Sequence, residues 1–299
     1  MGFSRMDAES TGMFPQIMLS IMIVGAIFII YMTIETLIRA YLTMNGSRIT
    51  VYPKTGNRSK TFIQDPASSD PNAIYLSLSE NQLTGIEFSY SSFVFIQDTT
   101  FSTTAAADNG WHTLFYKGYS SGPFPLCGPG VFVSSGTTTN PHPTLRVVMN
   151  SYANWFNAVD VHQIPINKWF HLVISVAKNT VYVYINGNLA NQKTLTGTLP
   201  YQNYQPLNLF PSFKTSTAID FDNSGSTSNS KRGIPAGESF VINGPMQGYL
   251  SNIFYFTYGI SYAEVQGLMN MGPSSEMDSS DMTLPPYLID TWWTKQNSL

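Results

Sequence analysis

Carboxylates are the first candidates for chemistry in this chain, because two that flank a glycosidic bond can divide acid and base work between them. Glu276, Asp278 and Asp281 stand at E-x-D-x-x-D spacing, but in a Ser-rich stretch without strand character. Glu80, Glu87, Glu238 and Glu264 each stand alone. His112, His142, His162 and His171 fit neither H-E-x-x-H nor a Cys/His zinc pattern. His171 opens an apolar run and is expected to be a satisfied surface or edge histidine. Cys127, in PFPLCGPG, has no identifiable base partner and reads as a small apolar filler. Asp220, Asp222, Ser224 and Gly225 copy the opening of an EF-hand loop, yet Lys231 occupies the twelfth position, where a bidentate Glu is needed. The expectation is a protein that is not an enzyme, with no catalytic residue, no metal and no cofactor.

Composition narrows the class further. Of the 299 residues, 43% are hydrophobic, enough for a real core, while only 11% are charged. Ser, Thr, Asn and Gly supply the polar surface, as in β proteins with many turns. A net charge of -3 and the lack of an arginine-rich run exclude nucleic acid as the expected partner. The single cysteine rules out an internal disulfide and fits a reducing, cytosol-facing environment.

The elements that carry these residues begin with an apolar leader. Thr11 to Ile34 holds no charged residue, and a helix of that length rises roughly 36 Å, enough to cross a hydrocarbon core of about 30 Å. Its lipid-facing residues would include Ile17, Met18, Leu19, Ile21, Ile23, Val24, Ile27, Phe28, Ile29 and Ile30. The start, MGFSRMDAES, is mixed in charge and no A-x-A-like site follows, so an uncleaved anchor is expected over a signal peptide. Positive charge collects after the span, at Arg39, Arg48, Lys54, Arg58 and Lys60, which places the following domain on the cytoplasmic face. Arg48, Lys54, Arg58 and Lys60 are candidate contacts to anionic lipid or a partner. Asn45-Gly-Ser and Asn57-Arg-Ser match the glycosylation sequon, which would matter only on a lumenal face.

Beyond a polar stretch at 46–72, read as a linker or arm, the helical period disappears. AIYLSL, GIEFSYSSFVFIQD, HTLFYKG, GVFVSS, TLRVVMN and FHLVISVA are short, β-branched and aromatic, and separated by turn formers. In HLVISVA, Leu172, Ile174 and Val176 share a face; Lys178-Asn179 turns the chain; Val181, Val183 and Ile185 share the next face. Asn186-Gly187 suits a type I′ turn, and NLANQKTL returns as a third strand, completing a β-meander. FVING and GYLSNIFYFTYG read as later strands. Ser261 to Glu264 is a capping box that opens a short helix stopped near Gly272. The polar stretch 215–236 reads as a long surface loop. Trp292 and Trp293 near the end of the tail are too apolar to leave in water and are expected to dock on this domain or on a partner.

NKWFHLVISVAKNTVYVYINGNLANQKTL resembles the signature of laminin-G-like, concanavalin A-type jelly rolls, an N-x-W-x-H-L/V strand, a turn and V-Y-I-N-G. WHTLFYKG, LRVVMN and GYLSNIFYFTYGISYAEVQGLMNMGP resemble further blocks of that family. The resemblance implies an antiparallel jelly-roll sandwich, mainly β, preceded by one transmembrane helix and closed by one short helix. Glucanases of this superfamily carry E-x-D-x-x-E on a strand, a pattern that Asp281 does not complete. The span, the jelly roll and PPYLIDTWW together resemble virion proteins of large double-stranded DNA viruses with an internal membrane, minor capsid or membrane-associated structural proteins among them. That resemblance implies a protein of the internal membrane, its domain on the cytoplasm-derived face, whose partners are the bilayer and other capsid or membrane proteins.

The expected organisation is an N-terminal segment 1–13, a transmembrane helix 14–42, a basic linker or arm 43–74, a jelly roll 75–272 and an acidic, aromatic-ended tail 273–299. The leading expectation for function is a membrane-anchored structural protein. The alternative is a tethered carbohydrate-binding module, with Tyr152, Trp155 and Phe156 stacking on sugar rings, although strand and rim packing is the favoured role of that cluster.

Overall fold

The computed structural model describes residues 10–44, 48–65, 69–70, 72–79, 81–82, 85–101, 110–124, 126–136, 142–152, 154–195, 200–215, 219–220 and 239–278. The chain forms two compact units, residues 1–48 and 49–299. The first holds one helix, α1 (Ser10–Met44), which reaches past both ends of the expected span. Within it Gln16–Leu37 is long and apolar enough to cross a membrane, and none of it is buried. Three of its hydroxyls bond back to the helix: Ser20 donates to the Ile17 carbonyl and Thr33 to the Ile30 carbonyl, each at 2.8 Å, and Thr36 to the Thr33 carbonyl. Such back-bonding is what a polar side chain needs where water is absent.

The second unit is an antiparallel sandwich of two seven-stranded sheets. The first sheet runs in the order β1 (Arg48–Gly56), β16 (Gly248–Phe256), β4 (Gly85–Ile96), β9 (Trp169–Ala177), β10 (Thr180–Ile185) and β11 (Asn188–Thr194), with β3 (Asn81–Gln82) paired to β4. The second runs β2 (Lys60–Phe62), β12 (Leu207–Leu209), β5 (Trp111–Lys117), β6 (Gly130–Ser134), β7 (Thr144–Met149) and β8 (Asn157–His162), with β15 (Ile242–Pro245) parallel to β5. A small ribbon joins β13 (Ile219–Asp220) and β14 (Ser239–Phe240).

Period-two alternation builds the core. Phe88, Tyr90, Val94 and Ile96 of β4 and Phe170, Leu172, Ile174 and Val176 of β9 face Phe115, Val131, Val133, Leu145 and Val147 of the opposing sheet. The expected meander is present, with Val181 and Val183 buried and Ile185 packed against the same core. Lys178 (φ 57°) makes its first turn; Asn186 (φ 48°) and Gly187 (φ 78°) make the second, both in the left-handed region that a type I′ turn requires. Behind the first sheet, Val173, Phe254 and Phe256 pack against Val265 and Leu268 of α2 (Tyr262–Met271). The predicted capping box is formed: Glu264 N–H donates to Ser261 Oγ and Ser261 N–H to Glu264 Oε2, and Gly272 caps the far end.

Both ends of the expected jelly roll need correction. The stretch read as a linker supplies two edge strands: β1 joins β16 at one edge of the first sheet and β2 joins β12 at one edge of the second. Val51, Tyr52 and Phe62 are buried in the core, and the many turn formers around them concealed those short apolar runs. The tail also contributes. Thr55 N–H donates to the Glu276 carbonyl at 2.8 Å and Asp278 N–H to the Thr55 carbonyl at 2.9 Å, a parallel bridge that lies along β1. At the opposite side, β11 is exposed throughout, and its Asn191 and Lys193 side chains donate to the Asp160 and Ala158 carbonyls of β8. Covering or tying sheet edges in this way blunts edge-to-edge association.

Candidate functional site at the loop rim

Three loops meet where β5 ends in Lys117. The loop that follows β5 returns as Gly128 N–H donates to the Lys117 carbonyl at 3.0 Å. The loop after β7 joins it through Asn150 N–H to the Cys127 carbonyl at 2.8 Å, and the segment before β12 joins that loop through Tyr201 N–H to the Asn150 carbonyl at 3.0 Å. Non-glycine substitution at Gly128 is blocked by this close approach, since an added Cβ would sit 2.8 Å from Asn150 Oδ1 and 3.0 Å from the Tyr201 carbonyl. Buried amides therefore hold the rim in shape.

Two kinds of surface result. Outward, Tyr152 is 65% exposed, Tyr204 57% and Trp155 37%; Tyr152 rests edge-on against Tyr201 with ring centroids 5.0 Å apart. Inward, a small cleft opens between the two sheets, with Lys117 and Asn203 on one side and Tyr90, Tyr255 and Gln202 on the other. Lys117 is buried; its Nζ donates to the Asn203 backbone carbonyl and lies 3.4 Å from Asn203 Oδ1. Among the described residues no carboxylate forms an ion pair with it. Burial lowers this ammonium from its ordinary 10.5 to about 7. Tyr255 OH donates to the Ser77 carbonyl at 2.8 Å and accepts from Gln202 Nε2 at 2.9 Å, while burial raises the Tyr90 and Tyr255 phenols above their usual range.

The predicted site residues separate. Tyr152 and Trp155 reach solvent on the rim, but Phe156 is only 2% exposed. It packs beneath the second sheet with Phe124 and Phe240, 5.7 Å from the Arg146 guanidinium. A glycan contact by Phe156 is thereby corrected: just before β8, it packs on Phe124 and Phe240 while its neighbour Trp155 stays partly exposed. Arg146 completes that layer, bidentate to Asp160 at 2.7 Å for both bonds and 4.4 Å above the Trp111 ring.

The basic residues after the span are integrated in the fold. Lys54 pairs with Glu276 at 2.7 Å, and Lys60 pairs with Asp278 while lying over the Tyr52 ring. Two carboxylates of the E-x-D-x-x-D stretch thus hold lysines on β1 and β2. Arg48 opens β1, and Arg58 is exposed in the turn between β1 and β2. The anchor residues Ile17, Met18, Leu19, Ile21, Ile23, Val24, Ile27, Phe28, Ile29 and Ile30 all lie exposed on α1. Trp292, Trp293, Asp281 and most of the EF-hand-like loop after Asp220 lie outside the described residues.

His171 also needs correction. It is 1% exposed, on the strand that β4 and β10 flank, its Nε2 2.8 Å from Ser91 Oγ and its ring 4.8 Å from that of Phe93. Burial lowers its pKa to about 4. Its place at the start of β9 suggested exposure; the register that sets Phe93 opposite it is non-local. Cys127 is fully buried beside Tyr116 and Phe132, as expected for a filler. Sequence reasoning passed over Lys117, Asn203 and Tyr204. Lys117 had a signal, since it continues the inward phase of Phe115 on an apolar strand.

Residues 70–220 match the model of the concanavalin A-like lectin/glucanases superfamily. No curated protein matches the chain. Among solved structures, the receptor-binding domain of a botulinum neurotoxin C/D mosaic serotype is similar at 11% identity and a TM-score of 0.38, covering 62% of this chain and 36% of that one. The receptor-binding domain of botulinum neurotoxin D is similar at 13% identity and a TM-score of 0.42, covering 75% and 52%. The matched region spans between about a third and a half of those structures.

Proposed function

This chain belongs to the concanavalin A-like lectin/glucanase superfamily, and on that premise we propose that it is a membrane-tethered binding module that works by contact with other proteins and carries out no catalysis. One observation carries the reading: a single chain joins the apolar, unburied stretch Gln16–Leu37 to a β-sandwich of a superfamily that includes lectins. The finer reading is a minor capsid or virion-membrane protein that links an internal membrane to the capsid shell of a large DNA virus. It draws on the resemblance of the span, the jelly roll and PPYLIDTWW to such proteins. Its partners are then the bilayer and neighbouring coat or membrane proteins, with the domain on the cytoplasm-derived face. Lysine cross-linking of intact particles tests it. The expected products join exposed Lys178 or Lys193 to coat proteins, and recovery of the chain only in host fractions released by detergent contradicts it.

A second reading, a tethered glycan-binding module, is favoured by Tyr152, Trp155 and Tyr204 on two loops held together by the Tyr201–Asn150 backbone bond. Aromatic faces of this kind stack on sugar rings. A glycan array decides it: a saturable hit that Trp155→Ala and Tyr204→Ala abolish supports the lectin, and a blank array leaves the protein-contact module.

A further inference from the structure

We propose that the outer face of the first sheet carries a docking strip for the chain's own C-terminal segment 285–293 (PPYLIDTWW), which folds back as a strap and seats Trp292 and Trp293 there. The strip is a row of three aromatic side chains. Tyr249 of β16, Phe95 of β4 and Trp169 of β9 stand in register on adjacent strands. Their chain neighbours Leu250, Val94 and Phe170 are buried in the core, so alternation turns these three to the opposite face. The Phe95 ring lies 6.1 Å from that of Tyr249 and 5.7 Å from that of Trp169, and the three strands make the strip about 10 Å wide. All three residues are half-buried. The next row on that face, Phe93 and His171, is buried, and farther along α2 covers Val173, Phe254 and Phe256. On its other side the strip is bounded by polar Gln97, Asn167 and Gln247, where Gln97 N–H donates to the Gln247 carbonyl at 2.9 Å.

The fold delivers the tail to this strip. Beyond α2, Ser274 N–H donates to Ser251 Oγ at 2.8 Å, and the Ser274 carbonyl accepts from Thr55 Oγ1 at 2.7 Å. Ser251 stands two residues along β16 from Tyr249 and so shares its face. The bridge between Thr55 and Met277 then fixes the tail on β1, the strand beside β16. Pro285 is seven positions beyond Asp278, a reach of up to about 24 Å and more than the width of the strip. The chemistry matches as well: Tyr287, Trp292 and Trp293 are aromatic residues in an otherwise polar tail, and rings of this kind pack edge-on or offset against one another. The tether also selects the occupant. It holds the tail at an effective concentration on the order of millimolar, which a partner in solution would have to exceed.

Hydroxyl-radical footprinting of the full chain in detergent, read by peptide mass spectrometry, tests the strap. In the variant Trp292→Ala/Trp293→Ala, oxidation of Tyr249, Phe95 and Trp169 should rise about threefold, because docked rings are shielded from solvent. Tyr152 and Tyr204 on the rim should not change and serve as internal standards. Unchanged oxidation of the three strip residues overturns the proposal. So does protection that disappears when the unaltered chain is diluted, which marks a second copy as the occupant. The reciprocal variant Phe95→Ala, shown folded by circular dichroism, should raise oxidation of Trp292 and Trp293 by a similar factor. Indoles that stay protected in that variant are held by the micelle or by another surface, and the strap is then contradicted.

Discussion

Tyr52 donates its hydroxyl hydrogen to Asp278 Oδ2 at 3.1 Å, across 226 positions of sequence. The same carboxylate pairs with Lys60, so one acidic side chain ties the 273–278 segment to β1 and β2. Asp278→Ala should therefore destabilise the domain by about 1–2 kcal/mol in urea denaturation, since it strips partners from a half-buried ammonium and a buried phenol. Tyr52→Phe should cost about 1 kcal/mol, and the double variant less than the sum, because the two share one interaction.

Stability should fall on mild acidification through His171. Its folded pKa of about 4 lies below the unfolded value near 6.5. The unfolded chain thus binds more protons between those values, and stability rises with pH across that window. The contribution is complete above about pH 6.5 and is lost as pH falls toward 4, on the order of 3 kcal/mol in all. Thermal melts from pH 7 to 4 should show this fall, and His171→Gln should flatten it.

Lys117 predicts a second window at the alkaline side. Its folded pKa of about 7 lies below the ordinary 10.5, so the unfolded state again binds more protons and stability rises from pH 7 toward 10.5. Below pH 7 the ammonium stays charged in both states and this slope vanishes. Lys117→Met should remove the alkaline rise while leaving the His171 window in place, as melts across both ranges would report.

The meander's two faces make a contrasting pair of substitutions. Ile174 is 1% exposed in the shared core, and Ile174→Ala should cost about 2–5 kcal/mol. Leu189, on exposed β11, is 48% exposed, and Leu189→Ala should lie within about 0.5 kcal/mol of the unaltered chain by chemical denaturation.

Local signals account for what the sequence made legible. Asn186-Gly187, the alternation Leu172-Ile174-Val176 and the Ser261–Glu264 box each act within a few residues, and each is formed where expected. Misreadings fall where long-range pairing decides. β1 and β2 look like polar linker until β16 and β12 supply their partners. Glu276 and Asp278 look like a failed acid pair until Lys54 and Lys60 meet them. His171 looks exposed until β4 brings Ser91 and Phe93 to it. At the rim, Tyr152 and Trp155 were legible as exposed aromatics, whereas Phe156 was not separable from them without knowing that Phe124 and Phe240, distant in sequence, pack against it. Lys117 and Asn203 come together across 86 positions, beyond the reach of any motif.

The tether is tested most directly by floating the full chain on a density gradient with the membranes of the cells or particles that make it, after alkaline carbonate washing. The account predicts that the chain rises with lipid and that its N-terminal peptides, including those within Gln16–Leu37, remain attached to the sandwich. A chain that stays at the bottom of the gradient, with a mature start beyond residue 40, would contradict it.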